Sequence, residues 1–165
     1  MSDGAGASPG ARVLALWRRL SPLPFGRDLF MWTFGSMVPY SGALGARVLT
    51  LEPGHVAVRL RDRRAVRNHL ASVHAIALAN LGEMASGLAM TTALPPGVRA
   101  IVTGLSVEYG KKARGALVAE SRVTVPDVGG DVDHDVRTEI RDDAGDVVAT
   151  VTTRWRLGLV PMKAK

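Results

Sequence analysis

The sequence predicts an α+β domain in which one antiparallel sheet wraps around a long central helix. Three observations carry this reading. From Ser72 to about Thr92 the chain is apolar on nearly every side, the pattern of a helix buried all round. Two short strand-like runs precede it and four longer ones follow, and Val56–Leu60, Val132–Arg141 and Val147–Leu157 alternate apolar and polar residues with the period of a half-buried strand. Turn-forming clusters separate the later runs, and Asp142-Asp143-Ala144-Gly145 is a hairpin signal.

Taken in order, residues 1–10 are rich in Gly, Ala, Ser and Pro and are expected to be disordered. Val13, Leu14, Leu16, Trp17 and Leu20 then recur at helical spacing, with Arg12, Arg18 and Arg19 on the polar side. Docking onto the domain explains this stripe, with contact to a membrane surface or a partner as the alternative. Pro22, Pro24 and Gly26 break it. An uncharged stretch, Leu29 to Ala46, is interrupted by Gly35, Pro39, Gly42 and Gly45. It reads as a helix followed by a strand, with Pro39 near the junction, and not as a membrane span, which needs ~20 mainly apolar residues.

Val48–Leu51 and Val56–Leu60 are expected strands joined at Glu52-Pro53-Gly54. The buried helix follows, and Pro95-Pro96-Gly97 stops it. Four strands then run over Ala100–Tyr109, Ala116–Val125, Val132–Arg141 and Val147–Leu157. Sheet and helix bury each other. The strand edges and the outer face remain, and a dimer would cover part of both.

The chain has 165 residues, enough for one domain of ordinary size. It has no cysteine, which excludes disulfides, zinc ribbons and thiol catalysis. Aromatics make up only 5%, leaving few platforms for stacking single-stranded nucleic acid. The formal charge is +6, which favours polyanions, anionic membranes or phosphorylated ligands without choosing among them. No basic, apolar leader opens the sequence, so a cytoplasmic address is the expectation.

Certain polar residues stand out against this background. Glu83 lies among Leu81, Met84, Ala85 and Leu88. A buried carboxylate must be paired, protonated or turned to a cavity. Pairing with a backbone group or an arginine is the structural explanation, and a desolvated general base or nucleophile is the functional one. Asn80 lies one turn before it. Asn68, His69 and Ser72 precede the helix, with Ser72 the expected N-cap and His74 in the first turn. Free N–H groups at the helix start could polarise a carbonyl oxygen.

The segment Asn68-His69-Leu70-Ala71-Ser72-Val73-His74-Ala75-Ile76, followed by Leu81-Gly82-Glu83, resembles the hotdog-fold acyl-CoA thioesterases of the PaaI-like group. An Asn, a His six residues later and an acid nine beyond the His are spaced as in that family. The resemblance covers about Val38 to Leu157 and looks most like an uncharacterised bacterial branch. It implies a hotdog domain over 38–158, an N-terminal helical extension over 11–37 and a tail over 159–165.

The resemblance also implies roles. Glu83 would activate water or attack the thioester, Asn68 would hold the carbonyl or the water, and His74 would shape the site. The Ala75 or Ile76 N–H would serve as an oxyanion donor, a kind whose removal typically costs about 10²–10³ in rate. Ser72, Asn80 and Thr103 are candidate substrate contacts. The site would form at a homodimer interface, with a homotetramer as a further assembly. Two departures stand out: Ala75-Ile76 replaces the usual Gly-Gly, where substrate passes close to the backbone, and on the strand after the helix, where many relatives carry a Ser or Thr, the register offers Val102 as readily as the nearby Thr103 or Ser106.

Arg59, Arg61, Arg63, Arg64 and Arg67 crowd nine residues that end at Asn68, and Lys111, Lys112 and Arg114 form a second basic turn. Coenzyme A carries phosphates that such residues bind. Arg64, Arg67, Lys111, Lys112 and Arg114 are therefore the expected contacts to an acyl-CoA. No metal or separate cofactor is expected, and no nucleic-acid signature is present. The leading expectation is thioester hydrolysis. A hotdog protein that binds acyl-CoA without turnover is the alternative, followed by a hydratase or dehydratase.

Overall fold

A computed structural model describes residues 8–160. The expected strands become β1 (Arg47–Glu52), β2 (His55–Leu60), β3 (Val98–Tyr109), β4 (Leu117–Arg122), β5 (Val132–Arg141) and β6 (Val147–Leu159). They form one antiparallel sheet in the order β1-β2-β4-β5-β6-β3. The helices are α1 (Pro9–Leu20), α2 (Gly26–Met37), α3 (Pro39–Ala43) and α4 (Ala75–Ala93). The inner face of the sheet packs on α4, and the alternation in β2 shows why: Val56, Val58 and Leu60 are fully buried beneath it.

The β1–β2 turn is fastened to the end of α4. Gly54 adopts φ +73°, a conformation that favours glycine. Its N–H donates to Thr92 Oγ1 at 3.2 Å, and the Thr92 hydroxyl lies 2.9 Å from the Leu88 carbonyl oxygen.

Several boundaries differ from the sequence expectation. The central helix starts at Ala75, not Ser72. Val73 is held extended by a bridge to Arg67, and its N–H donates to the Ala113 carbonyl at 2.8 Å, so the chain can turn helical only afterwards. The stretch around Pro39 opens a short helix instead of a strand, because proline suits the first helical position. The fourth strand is shorter than expected and ends at Arg122. The Val123 N–H turns to the Gly54 carbonyl, and Pro126 cannot donate to a ladder.

The chain ends also differ. Pro9 and Gly10 are helical, capped by Ser8, whose hydroxyl accepts the Ala11 N–H at 3.2 Å. Residues 1–7 and 161–165 of the expected terminal segments lie outside the described residues. Leu159, placed in the tail by the sequence, continues β6. Among the described residues no helix is long and apolar enough to cross a membrane.

The arginine-flanked stripe of α1 docks as expected. Leu14 and Trp17 are buried, and Trp17 meets Phe30 of α2 edge to face at 5.2 Å. Gly10 sits so close to α4 that an added Cβ would lie 2.0 Å from the Thr91 carbonyl oxygen. The N-terminal helices are thus packed against the central helix.

Candidate active site

The central helix is not buried on every side. Ile76, Asn80, Glu83, Gly87 and Thr91 recur at helical spacing and are only partly covered or exposed. This open stripe faces α1, α2 and α3. Two cavities lie along it. One, of about 320 Å³, is lined by Val13, Phe34, Met37, Val38, Ser41, Glu83, Met84, Gly87, Leu88, Thr91 and Trp155. The other, of about 330 Å³, is lined by Tyr40, Ala43, Leu44, Ala65, Val66, Arg67, His74, Ile76, Ala77 and Asn80. The short helix α3 separates them, and its Ser41 hydroxyl donates to Asn80 Oδ1 at 3.3 Å.

Glu83 is the only ionisable group among the described residues that line the first cavity. Neither a hydrogen bond nor an ion pair to its carboxylate occurs among the described residues. The pairing explanation for Glu83 therefore finds no partner. Burial pushes its carboxyl above the ordinary carboxylate value, since a charge there has lost water without gaining a donor. The Trp155 ring lies beside it. A Cβ on Gly87 would stand 3.7 Å from Trp155 Cη2 and 3.9 Å from Glu83 Oε1. The Trp155 Nε1 is buried and also has no partner among the described residues.

His74 is the N-cap of α4, the role the sequence assigns to Ser72. Its Nδ1 accepts the Ile76 N–H at 3.1 Å. One of the two expected oxyanion donors is thus already engaged, while the Ala75 N–H has no acceptor among the described residues. Ser72 is buried, and its hydroxyl donates to the Ala113 carbonyl at 3.0 Å. The Ile76 side chain is exposed and stands at the second cavity. The Tyr109 hydroxyl donates to the Ala75 carbonyl at 3.1 Å and ties β3 to the helix start.

Asn68 shapes its own loop. Its Oδ1 accepts the N–H groups of Leu70 at 2.9 Å and Ser72 at 3.3 Å, which supports Ala71 at φ +52°. Its side-chain amide donors are left over for another partner. Thr103 occupies a bulge on β3, where its hydroxyl contacts the Arg154 carbonyl at 3.4 Å. It lines neither cavity of its own chain.

The basic residues divide. Ala113 carries the second basic turn onto the Asn68 loop through the bonds from Val73 and Ser72. Lys112, Arg114 and Arg64 are exposed there, and Arg67 borders the His74 cavity while bonding Asp62 at 2.6 Å. Lys111 is paired with Asp142 at 2.8 Å and Asp146 at 2.5 Å. Arg63 is likewise engaged, donating to the carbonyls of Ala43 and Leu44.

His74 and Glu83 are nine residues apart on one helix, about 13.5 Å along its axis. They cannot meet on one substrate carbonyl within a single chain. Sequence reasoning missed Trp155 and the cavity wall supplied by Val13, Phe34 and Met37. The apolar stripe of α1 was a signal for Val13, and the alternation of Val147–Leu157 put Trp155 on one face with Val151 and Leu157 without linking it to Glu83.

The family model described as "Domain of unknown function (DUF4442)" matches residues 26–157, beginning with α2. No curated relative matches the sequence. Among solved structures, the structural-genomics protein APC5556 is 26% identical, with a TM-score of 0.79 over 91% of this chain and 100% of that one. PA5026 from Pseudomonas aeruginosa, named a probable thioesterase, is 23% identical, with a TM-score of 0.70 over 84% of this chain and 97% of its own. A mutant of the phenylacetic acid degradation protein PaaI from Thermus thermophilus is 24% identical, with a TM-score of 0.61 over 72% and 97%. The fold is the hotdog fold shared with these structures.

Proposed function

The chain belongs to the DUF4442 family, and on that premise we propose that it hydrolyses an acyl thioester, carried on coenzyme A or a carrier protein. The observation that carries this reading is the Glu83 carboxylate, desolvated, without a partner among the described residues and facing an apolar cavity of about 320 Å³. Such a cavity is at the small end of ligand sites and suits an acyl group. Thioesterase names among the fold neighbours support the same chemistry.

Glu83 takes a proton from water, whose oxygen attacks the thioester carbonyl carbon. The helix N-terminus, through the Ala75 N–H, holds the developing oxyanion. The carbon–sulfur bond then breaks, and the proton passes to the departing thiolate. The products are a carboxylic acid and a thiol. Direct attack by the Glu83 carboxylate, with hydrolysis of the resulting anhydride, gives the same products.

A homodimer completes the site in this reading, because Glu83 and the His74 helix start are too far apart in one chain. Strand β3 has an unpaired edge, and Leu105 and Ile101 on it are exposed. Pairing of two such edges would cover them and bring the helix start of one protomer toward the Glu83 of its partner. Arg64, Arg67, Lys112 and Arg114 then suit the phosphates of coenzyme A.

The second reading, acyl-CoA binding without turnover, is favoured by Ile76, whose side chain stands at the helix start and whose N–H is capped by His74. The deciding experiment measures thiol release from a panel of acyl-CoA thioesters by the wild type and by Glu83→Ala. Hydrolysis lost in the variant supports the proposal, and equal rates overturn it. Calorimetric binding without thiol release in either protein selects the second reading.

A further inference from the structure

Helix α2 carries an unpartnered apolar face. Phe25, Leu29 and Trp32 follow one another at helical spacing and are 83%, 49% and 73% exposed. Leu23, in the turn before, is 54% exposed. Phe25 holds a left-handed backbone, φ 56°, unusual for a bulky residue, and it presents its ring to solvent. The opposite face of the same helix buries Phe30 and Phe34 in the core. Large apolar groups displayed in this way mark an interaction surface.

Beside this face lies a third cavity, of about 490 Å³, which shares no residue with the Glu83 cavity. Trp32, Met31 and Leu49 form its apolar part, and Arg47, Arg59 and Arg61 its charged part. Asp28 is its one acidic residue, and it bonds Arg47 at 3.2 Å. Arg59 and Arg61 have no carboxylate partner among the described residues, and the Nε of Arg47 is buried with no acceptor. Three guanidinium groups against one carboxylate, next to an exposed tryptophan, complement a surface that is anionic outside and apolar beneath.

We propose that the α2 face and this arginine-lined cavity dock the protein on an anionic phospholipid bilayer, with Phe25, Leu29 and Trp32 at the acyl boundary and Arg47, Arg59 and Arg61 on the phosphates. Aromatic and apolar residues with flanking arginines are the composition of interfacial membrane contacts. The face lies at the β1 end of the sheet, opposite the free β3 edge, so β3 pairing leaves it open. A bilayer dock would bring the Glu83 cavity to where amphiphilic acyl chains collect, yet the docking itself does not depend on hydrolysis.

The test is flotation of the full chain with vesicles of phosphatidylcholine alone and of phosphatidylcholine with about a third phosphatidylglycerol. Binding is expected to the second kind only, weakening as salt rises. Leu29→Ser with Trp32→Ser should abolish it. Each of Arg59→Ser and Arg61→Ser should lower vesicle affinity roughly fivefold. Tryptophan emission should shift to the blue on binding, and the shift should vanish in Trp32→Phe, because Trp17 and Trp155 are already buried. Failure of the wild type to float with the anionic vesicles overturns the proposal. So does equal binding by the Leu29/Trp32 double variant. If light scattering shows that this variant lowers the oligomeric state, the face belongs to a second copy of the chain and the bilayer proposal falls.

Discussion

His74 Nδ1 accepts the backbone N–H of Ile76 at 3.1 Å, so the histidine beside the proposed oxyanion site is also the cap of the central helix. Losing the cap costs about 1 kcal/mol of stability. His74→Ala should therefore lower the denaturation midpoint, while His74→Asn, which keeps a capping oxygen, should restore it. If His74 also shapes the site, His74→Asn will recover stability without recovering thiol release. Denaturant melts and hydrolysis assays on the two variants check this.

Burial raises the Glu83 pKa in the folded state above its unfolded value. The folded protein thus favours the protonated form. That contribution to stability is complete below the unfolded pKa and is lost as pH rises through the folded one. Glu83→Gln should accordingly be more stable than wild type at pH 8 and nearly equal to it near pH 4. Denaturation at the two pH values measures the difference. Thiol release by the wild type should rise with pH through a midpoint above the ordinary carboxylate value, because only the ionised form can take a proton from water.

Gly87 lies between the Glu83 carboxylate and the Trp155 ring, with room for a Cβ at ordinary contact distances of 3.7 to 3.9 Å. Gly87→Ala should stabilise the helix by roughly 0.5–1 kcal/mol. The same methyl fills part of the Glu83 cavity. Turnover should fall most for bulky acyl groups, and a comparison of kcat/KM across acyl chain lengths reads the effect.

Gly82 offers the contrasting case. A Cβ there would sit 2.3 Å from the Val151 side chain, where helix and sheet meet. Gly82→Ala should destabilise the domain by about 1–3 kcal/mol through overpacking, offsetting any gain in helix propensity. Thermal melts of Gly82→Ala and Gly87→Ala should move in opposite directions.

Gly10→Ala tests the N-terminal wall. Its Cβ would fall 2.0 Å from the Thr91 carbonyl oxygen, so α1 must withdraw from α4. Val13 lines the Glu83 cavity and would move with it. Faster proteolysis of the N-terminal segment and a changed acyl preference, with the sheet intact by circular dichroism, are the expected results.

Much of the architecture was legible in the sequence because it rests on local periodicity. The alternation in Val132–Arg141 marked β5 to the residue, and the continuous apolar run marked α4. Glu83 was equally legible, since a lone acid in such a run breaks the pattern. The helix boundary was not, because Val73 is kept extended by Ala113, forty residues away, and no local rule contains that bond.

The sequence alone therefore determined the strands, the central helix and the carboxylate most exposed to desolvation, all of them consequences of nearest-neighbour patterning along the chain. Only the tertiary structure decided what surrounds them. It set Trp155 and the N-terminal helices around Glu83, gave Lys111 to Asp142 and Asp146, and put α3 residues on the walls of both the Glu83 and the His74 cavities. These relations join residues distant in sequence, and packing, not periodicity, fixes which of them meet.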